Sequence, residues 1–221
     1  MSGPRLVDVR AFPGDDTPIG SVLDHLHAGG LLAYPTETVY GFGGRPDPSV
    51  IRDLQRLKGR DSDKPLLLLI PDRESVTDLV WTAEARDMAD VFWPGSVTLV
   101  LAAPSARYPQ GVRSPGGNVA VRVSPHPLVR ALVEDAGPIL STSANRPGEP
   151  PAMDAQTALE IARAGGVGEE MWVLDGGAPE SSLPSTVVDC SGATPTVLRE
   201  GTVPLGRVRC VLPDIGVPTD E

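Results

Sequence analysis

Short aliphatic runs alternate with segments of helical spacing along almost the whole chain. Leu6 to Val9 reads as a first strand. Residues 18–28 place Ile19, Val22, Leu23 and Leu26 on one helix face, and Gly29-Gly30 stops them. Leu31 to Tyr34 has the unbroken apolar character of a buried strand and ends at Pro35. Asp47-Pro48 has the form of an N-cap with proline at the first helical position, opening a helix through Ile51, Leu54 and Leu57 that Gly59 closes. Leu66 to Ile70 is wholly aliphatic, the pattern of a central strand covered on both faces. Helical spacing returns at 73–80 and, behind a Thr82 cap, at 83–92. Strands are expected at Val97–Ala102 and Val119–Val123, a helix at 127–136 and a strand at Ile139–Ser141. A helix over 155–163 capped by Asp154 follows, then strands near 171–174, 186–189 and 196–199, and a short helix over 204–211. Strands interleaved with helices predict an α/β layer architecture.

Composition adds few constraints. The 221 residues suffice for one good-sized core, and no segment reads as a linker, so residues 1–211 are expected to form a single domain with 212–221 as a frayed tail. Two long loops, 104–117 and 176–184, fit either lids over a site or tolerated insertions. No apolar run approaches the ~20 residues of a membrane span, and the N-terminus lacks the apolar stretch of a signal peptide. With two cysteines, Cys190 and Cys210, neither a disulfide framework nor a four-ligand zinc site is expected. A cytoplasmic protein with reduced thiols fits best. The net charge of −10 disfavours strong direct binding of nucleic acid, whose affinity rests on Lys and Arg neutralising phosphates.

The distribution of positive charge is more telling than its sum. Of 19 basic residues only two are lysines, Lys58 and Lys64, and both lie in the segment KGRDSDKP. An ammonium is a compact charge with three rotatable donors, whereas guanidinium is a rigid fork. Keeping lysine in one place alone suggests a site where a point charge is wanted, against the simpler reading of chance in an arginine-rich chain. Lys58 and Arg60 fall at the end of a helix, where they could merely complement its dipole. Lys64 lies beyond the turn, and three cations near strand ends suit a polyphosphate.

Other segments carry candidate chemistry. YPTETVYGFGG, residues 34–44, groups hydroxyls, a carboxylate and a phenol at the end of a strand, followed by glycines that admit close approach to a ligand or form a turn. It is not a Walker A loop. In FWPGSVTLVL, residues 92–101, Phe92 and Trp93 read as core, whereas Ser96 and Thr98 are ambiguous. Arg122 sits between Val121 and Val123 in an apolar strand, where it needs either a structural ion pair or a carboxylate ligand. STSAN, residues 141–145, clusters hydroxyls and an amide at a strand end, as a ligand contact or a capping turn. Ser185 and Thr186 open a strand, and Arg199 closes one. His25, His27 and His126 show no metal spacing, His25 and His27 reading as solvated. No nucleophile with a paired base is visible.

As an ordered set, PTETVYGFG, KGRDSDKP, WPGSVTLVL, NVAVRV, STSAN, STVVD and VLREG resemble the YrdC-like family of threonylcarbamoyl-AMP synthases in its short, single-domain form. The resemblance runs from about residue 31 to 201. It implies a twisted, mostly mixed sheet flanked by helices around a deep basic cavity. The activity implied is formation of threonylcarbamoyl-AMP and pyrophosphate from L-threonine, bicarbonate and ATP, with Mg²⁺ arriving on the ATP. The product would pass to a separate transferase acting on the tRNA adenosine beside the anticodon. By the same resemblance Lys58 and Arg60 are catalytic, and with Lys64, Asn118, Ser143, Asn145 and Arg199 they hold ATP. Thr36, Arg122, Ser141 and Ser185 hold threonine. Two departures stand out: Leu69 occupies a position where some relatives carry histidine, and Thr142 stands where an apolar residue or proline often precedes SAN. The competing reading is an RNA-binding YrdC-like module without synthase activity, which the net charge disfavours. A carbamoyltransferase-type domain of a larger protein is disfavoured by the lack of acylphosphatase-like or zinc-finger segments.

Overall fold

The computed structural model describes residues 3–14, 17–59 and 65–217. Arg60 and Lys64 therefore lie outside the described residues. Among the described residues ten strands form one sheet: β1 (Arg5–Asp8), β2 (Leu31–Tyr34), β3 (Gly41–Gly44), β4 (Leu67–Leu69), β5 (Val97–Ala102), β6 (Asn118–Arg122), β7 (Ile139–Ser143), β8 (Met171–Asp175), β9 (Thr186–Asp189) and β10 (Thr196–Arg199). Their order across the sheet is β1-β8-β2-β3-β7-β4-β6-β5-β9-β10. Parallel pairs (β1 with β8, β2 with β8, β4 with β6, β5 with β9) mix with antiparallel ones, as expected of a mixed α/β sheet. Among the described residues six α-helices accompany it: α1 (Ile19–His27), α2 (Pro48–Lys58), α3 (Ala83–Phe92), α4 (Pro127–Ala136), α5 (Ala155–Ala164) and α6 (Leu205–Arg209).

The two periods of the sequence assign the faces. On one face Leu99, Leu101, Val119, Val121 and Leu140 pack with the apolar stripes of α2, α3 and α5 in the larger core. On the other, Leu32, Tyr34, Leu69, Ile139 and Leu174 pack beneath Val22 and Leu26 of α1 and Leu128 and Leu132 of α4. Strand alternation sends Thr98, Val100, Ala120, Arg122, Ser141 and Ser143 to this second face, beyond the reach of those two helices. That uncovered stretch of sheet is the floor of a cavity.

Several local signals act as expected. Thr82 Oγ1 accepts from Ala85 N–H at 3.1 Å, and Asp154 Oδ1 from Thr157 N–H at 2.7 Å, each capping its helix. Gly59 ends α2 in the left-handed region at φ 51°. Asp47 precedes α2 in extended conformation but makes no side-chain cap. Trp93 packs on the larger core edge-on to Trp81, and its Nε1 donates to Val97 O at 2.6 Å.

Three expectations are corrected, and one open alternative is decided. Of the two readings of the glycines, the turn falls: Gly41–Gly44 is a strand between β2 and β7. Glycine there is a packing requirement: a Cβ on Gly43 would lie 2.0 Å from Leu140 O and 2.8 Å from the Tyr34 hydroxyl. The helix expected at 73–80 is one 3₁₀ turn, Arg73–Val76, because the chain turns away at 77–79, with Leu79 N–H bonding Val76 O at 3.1 Å, and Val80 N–H then bonds Ala102 O at the end of β5. One turn already buries Val76, and Leu79 follows it into the core. The tail does not fray at 212: Leu212 and Ile215 are buried, and Gly216 exchanges backbone hydrogen bonds with residues 195 and 197 beside β10. Finally, His25 is not simply solvated. Its ring stacks on Trp172 at 4.4 Å, and its Nε2 lies 3.2 Å from Leu31 O and 3.1 Å from Glu170 O.

Candidate functional site

The cavity, about 640 Å³, opens on the face that α1 and α4 leave bare. Its floor comes from β4, β5, β6 and β7, and its rim from the 36–41 segment, the end of α2, the turn at 145–148, and residues 184–187 and 198–199. Of the two long loops, 176–184 reaches it through Pro184, whereas no residue of 104–117 lines it. The latter loop is tied to the sheet instead, with Gly111 O accepting from Leu66 N–H at 2.6 Å and Ser114 N–H bonding Asn118 O at 2.8 Å.

Eight of the expected site residues line this cavity: Thr36, Lys58, Arg122, Ser141, Ser143, Asn145, Ser185 and Arg199. They come from six separate stretches of chain. Asn118 does not line it. It stands at the opposite end of β6 from Arg122, pairing with Ala102. The expectation that it holds ATP is not supported by its position.

Lys58 is 6% exposed at the last turn of α2. Its Nζ donates to Ser143 O at 2.7 Å, Asn145 O at 2.6 Å and Asn145 Oδ1 at 2.5 Å. Ser143 Oγ donates to the same Asn145 Oδ1 at 2.6 Å, and Asn145 Nδ2 donates to Arg146 O and Glu149 O. The ammonium thus ties helix α2 to the turn after β7. It does more there than complement a helix dipole, because carbonyl and amide oxygens from a distant segment converge on it. The STSAN segment is likewise both cap and cavity wall.

Arg122 is 3% exposed, at the end of β6, with Leu69 beside it across the β4–β6 ladder. Its Nη1 lies 3.5 Å from Glu37 Oε1 and donates to Thr38 Oγ1 at 3.4 Å. Its Nε is buried with no hydrogen-bond partner. A guanidinium that lines a polar cavity, held on its Nη1 side by Glu37 and Thr38, has donors left over to receive an acceptor from a ligand. Leu69 packs into the α1/α4 core and does not line the cavity.

Hydroxyls complete the walls. Thr36 Oγ1 is occupied by its own turn, accepting from Thr38 and Val39 N–H and lying 2.8 Å from Val39 O, so it shapes the segment more than it offers a free group. Thr98 Oγ1 and Ser185 Oγ are 2.9 Å apart and both buried. Arg199 Nη2 donates to Ser185 O at 2.8 Å. Thr98 was ambiguous by sequence. The available signal was its phase, since it alternates with the core residues Val97 and Leu99. Tyr40 seals one side by donating to Gly177 O at 2.8 Å, and burial pushes its phenol up to about 12, which keeps it a neutral donor. Burial does the same to Tyr34, which donates to Leu140 O beneath the site.

The sequence pattern of the Sua5/YciO/YrdC family, described as telomere recombination, matches residues 24–201. The chain belongs to this family. It is 38% identical over 189 residues to the threonylcarbamoyl-AMP synthase of Alkalilimnicola ehrlichii, covering 82% of this chain and 98% of that one. It is 33% identical to the threonylcarbamoyl-AMP synthase of Bacillus subtilis, covering 92% of this chain and 59% of that protein. The solved structure of Pyrococcus abyssi Sua5 complexed with L-threonine superposes with a TM-score of 0.86 at 31% identity, over 96% of this chain and 62% of that one. The chain therefore spans about three fifths of these two longer relatives and nearly all of the shorter one. No helix among the described residues is long and apolar enough to cross a membrane.

Proposed function

We propose that this member of the Sua5/YciO/YrdC family is an L-threonylcarbamoyladenylate synthase. The observation that carries the reading is Arg122, buried at the floor of a polar cavity with an unpartnered Nε, in a chain whose relatives bear that activity and include a Sua5 that binds L-threonine. A guanidinium fork suits the α-carboxylate of threonine. Ser141 and the Thr98–Ser185 pair border the same floor and would face the rest of the amino acid. Lys58, Ser143, Asn145 and Arg199 would surround the phosphates of ATP, with Arg60 and Lys64 joining them from the segment outside the described residues.

The chemistry needs no side-chain nucleophile. The threonine amine attacks bicarbonate, giving a carbamate and releasing water. A carbamate oxygen then attacks the α-phosphorus of ATP, and the bond to pyrophosphate breaks. Catalysis would consist of alignment and neutralisation of charge on the phosphates. The described cavity wall offers hydroxyls, an amide and cations but no carboxylate, a donor set that does not suit a protein-held Mg²⁺. We therefore assign Mg²⁺ to the ATP that carries it in. The labile adenylate would be used by a downstream transferase acting on tRNA.

The test is direct. Protein incubated with ATP, Mg²⁺, bicarbonate and threonine is expected to release pyrophosphate only when threonine is present. Release that ignores threonine, or no release, would overturn the reading.

A further inference from the structure

Glu37 lies inside the PTETVYG segment, yet it does not line the cavity. It is a carboxylate only 7% exposed, and such a group persists only if it is paired and hydrogen-bonded. Of its side-chain partners among the described residues, Arg122 lines the cavity, whereas Ser96 and Ser124 do not. Oε1 lies 3.5 Å from Arg122 Nη1 and accepts from Ser96 Oγ at 3.4 Å. Oε2 accepts from Ser124 Oγ at 2.5 Å. Ser124 is fixed in turn, its Oγ accepting the backbone N–H of His126 at 3.2 Å.

This arrangement has a direction. Both contacts of Arg122 with side chains, to Glu37 and to Thr38, use Nη1. Nε is left without a partner. The guanidinium is planar, so holding it by one nitrogen at a fixed angle also fixes where the remaining donors point. Ser96 comes from the turn before β5 and Ser124 from the residues after β6, so the network clamps Glu37 from two strands at once.

We propose that Glu37, held by Ser124 and Ser96, is a positioning residue for substrate carboxylate recognition: it anchors the Nη1 side of Arg122 from behind the cavity floor and so aims the other donors at the bound amino acid. Glu37 itself touches no substrate. It also supplies the counter-charge that lets Arg122 stay buried before the amino acid arrives. The inference rests on the reading of Arg122 as the carboxylate-binding group.

Steady-state pyrophosphate release, with threonine and ATP varied separately, tests it. Glu37→Gln keeps the shape of the side chain and removes its charge. The threonine KM is expected to rise by about tenfold, while kcat and the ATP KM stay within about twofold, the pattern of a lost binding contact. In an Arg122→Lys background the same change is expected to add almost nothing, because the group it acts through is gone. Ser124→Ala, which removes one hydroxyl, should raise the threonine KM by about threefold. Thermal unfolding midpoints accompany each variant. An unchanged threonine KM in Glu37→Gln overturns the proposal, as does an equal rise in the Arg122→Lys background or a parallel rise in the ATP KM. If Glu37→Gln does not fold, Ser124→Ala decides by the same criterion. An Arg122→Lys variant with unaltered threonine KM refutes the carboxylate reading itself. A threonine KM raised by Arg122→Lys but unmoved by Glu37→Gln in the otherwise unaltered protein refutes only the role of Glu37.

Discussion

Replacing Lys58 by alanine separates two roles that the structure assigns to one side chain. Its Nζ makes three hydrogen bonds of 2.5–2.7 Å to Ser143 O, Asn145 O and Asn145 Oδ1. Charge-assisted bonds of this kind contribute ~1.5–3 kcal/mol each in a buried setting. The full sum is not lost here. The cavity admits water to the vacated acceptors, Ser143 Oγ still bonds Asn145 Oδ1, and the cost of desolvating an ammonium is recovered. A net destabilisation of about 2–4 kcal/mol follows, which for a chain of this length lowers the unfolding midpoint by roughly 5–12 °C. If the same ammonium also meets the phosphates of ATP, turnover should fall by about 100-fold or more, at saturating ATP and at a temperature where the variant is fully folded. Differential scanning calorimetry and threonine-dependent pyrophosphate release measure the two effects independently. Turnover within a few-fold of the parent, together with the lowered midpoint, would leave Lys58 a purely structural tie and refute the phosphate role. An unchanged midpoint would refute the tie. Arginine should not rescue, since a planar fork cannot satisfy three acceptors arranged around a point.

Arg122→Lys should raise the threonine KM by about tenfold or more and leave the ATP KM nearly unchanged, because a fork-shaped contact becomes a single one; initial-rate kinetics with each substrate varied will show it. Gly43→Ala should destabilise by about 3 kcal/mol or more, since the new Cβ meets Leu140 O at 2.0 Å in the middle of the sheet; a midpoint within 2 °C of the parent, at roughly 2–4 °C per kcal/mol, would contradict this packing. Burial pushes the Cys190 thiol up to about 12, so at pH 8 it stays protonated and unreactive, whereas Cys210 is exposed. Iodoacetamide at that pH should therefore label Cys210 in the native protein and Cys190 only after unfolding, as read by peptide mass spectrometry. Chelation of Mg²⁺ should abolish pyrophosphate release without moving the unfolding midpoint in the absence of ATP, the expected signature of a metal that enters with the nucleotide.

Local patterns in the sequence were sufficient for most elements, because their causes are local. Helix α3 begins where Thr82 can cap it, α5 where Asp154 can, and α2 ends where Gly59 can turn left-handed. Alternation in β5 and β6 already separated core-facing Leu99 and Val121 from Thr98 and Arg122. The two lysines marked a polar centre, and Lys58 indeed lies at the cavity wall. What the sequence could not decide were matters of long-range contact. Gly41–Gly44 looks like a turn until Leu140 O and the Tyr34 hydroxyl occupy the space that side chains would need. Residues 73–80 carry helical spacing, but the end of β5 claims Val80 by a backbone bond. Asn118 and Arg122 belong to one five-residue strand, and only the reach of the cavity separates a wall residue from one outside it. Glu37 is an ordinary carboxylate in sequence. It becomes an anchor only when Arg122 and Ser124, more than 80 residues away, fold against it. Elements follow from neighbours along the chain, whereas the polarity of a buried site is decided by which distant groups must satisfy one another once water is excluded.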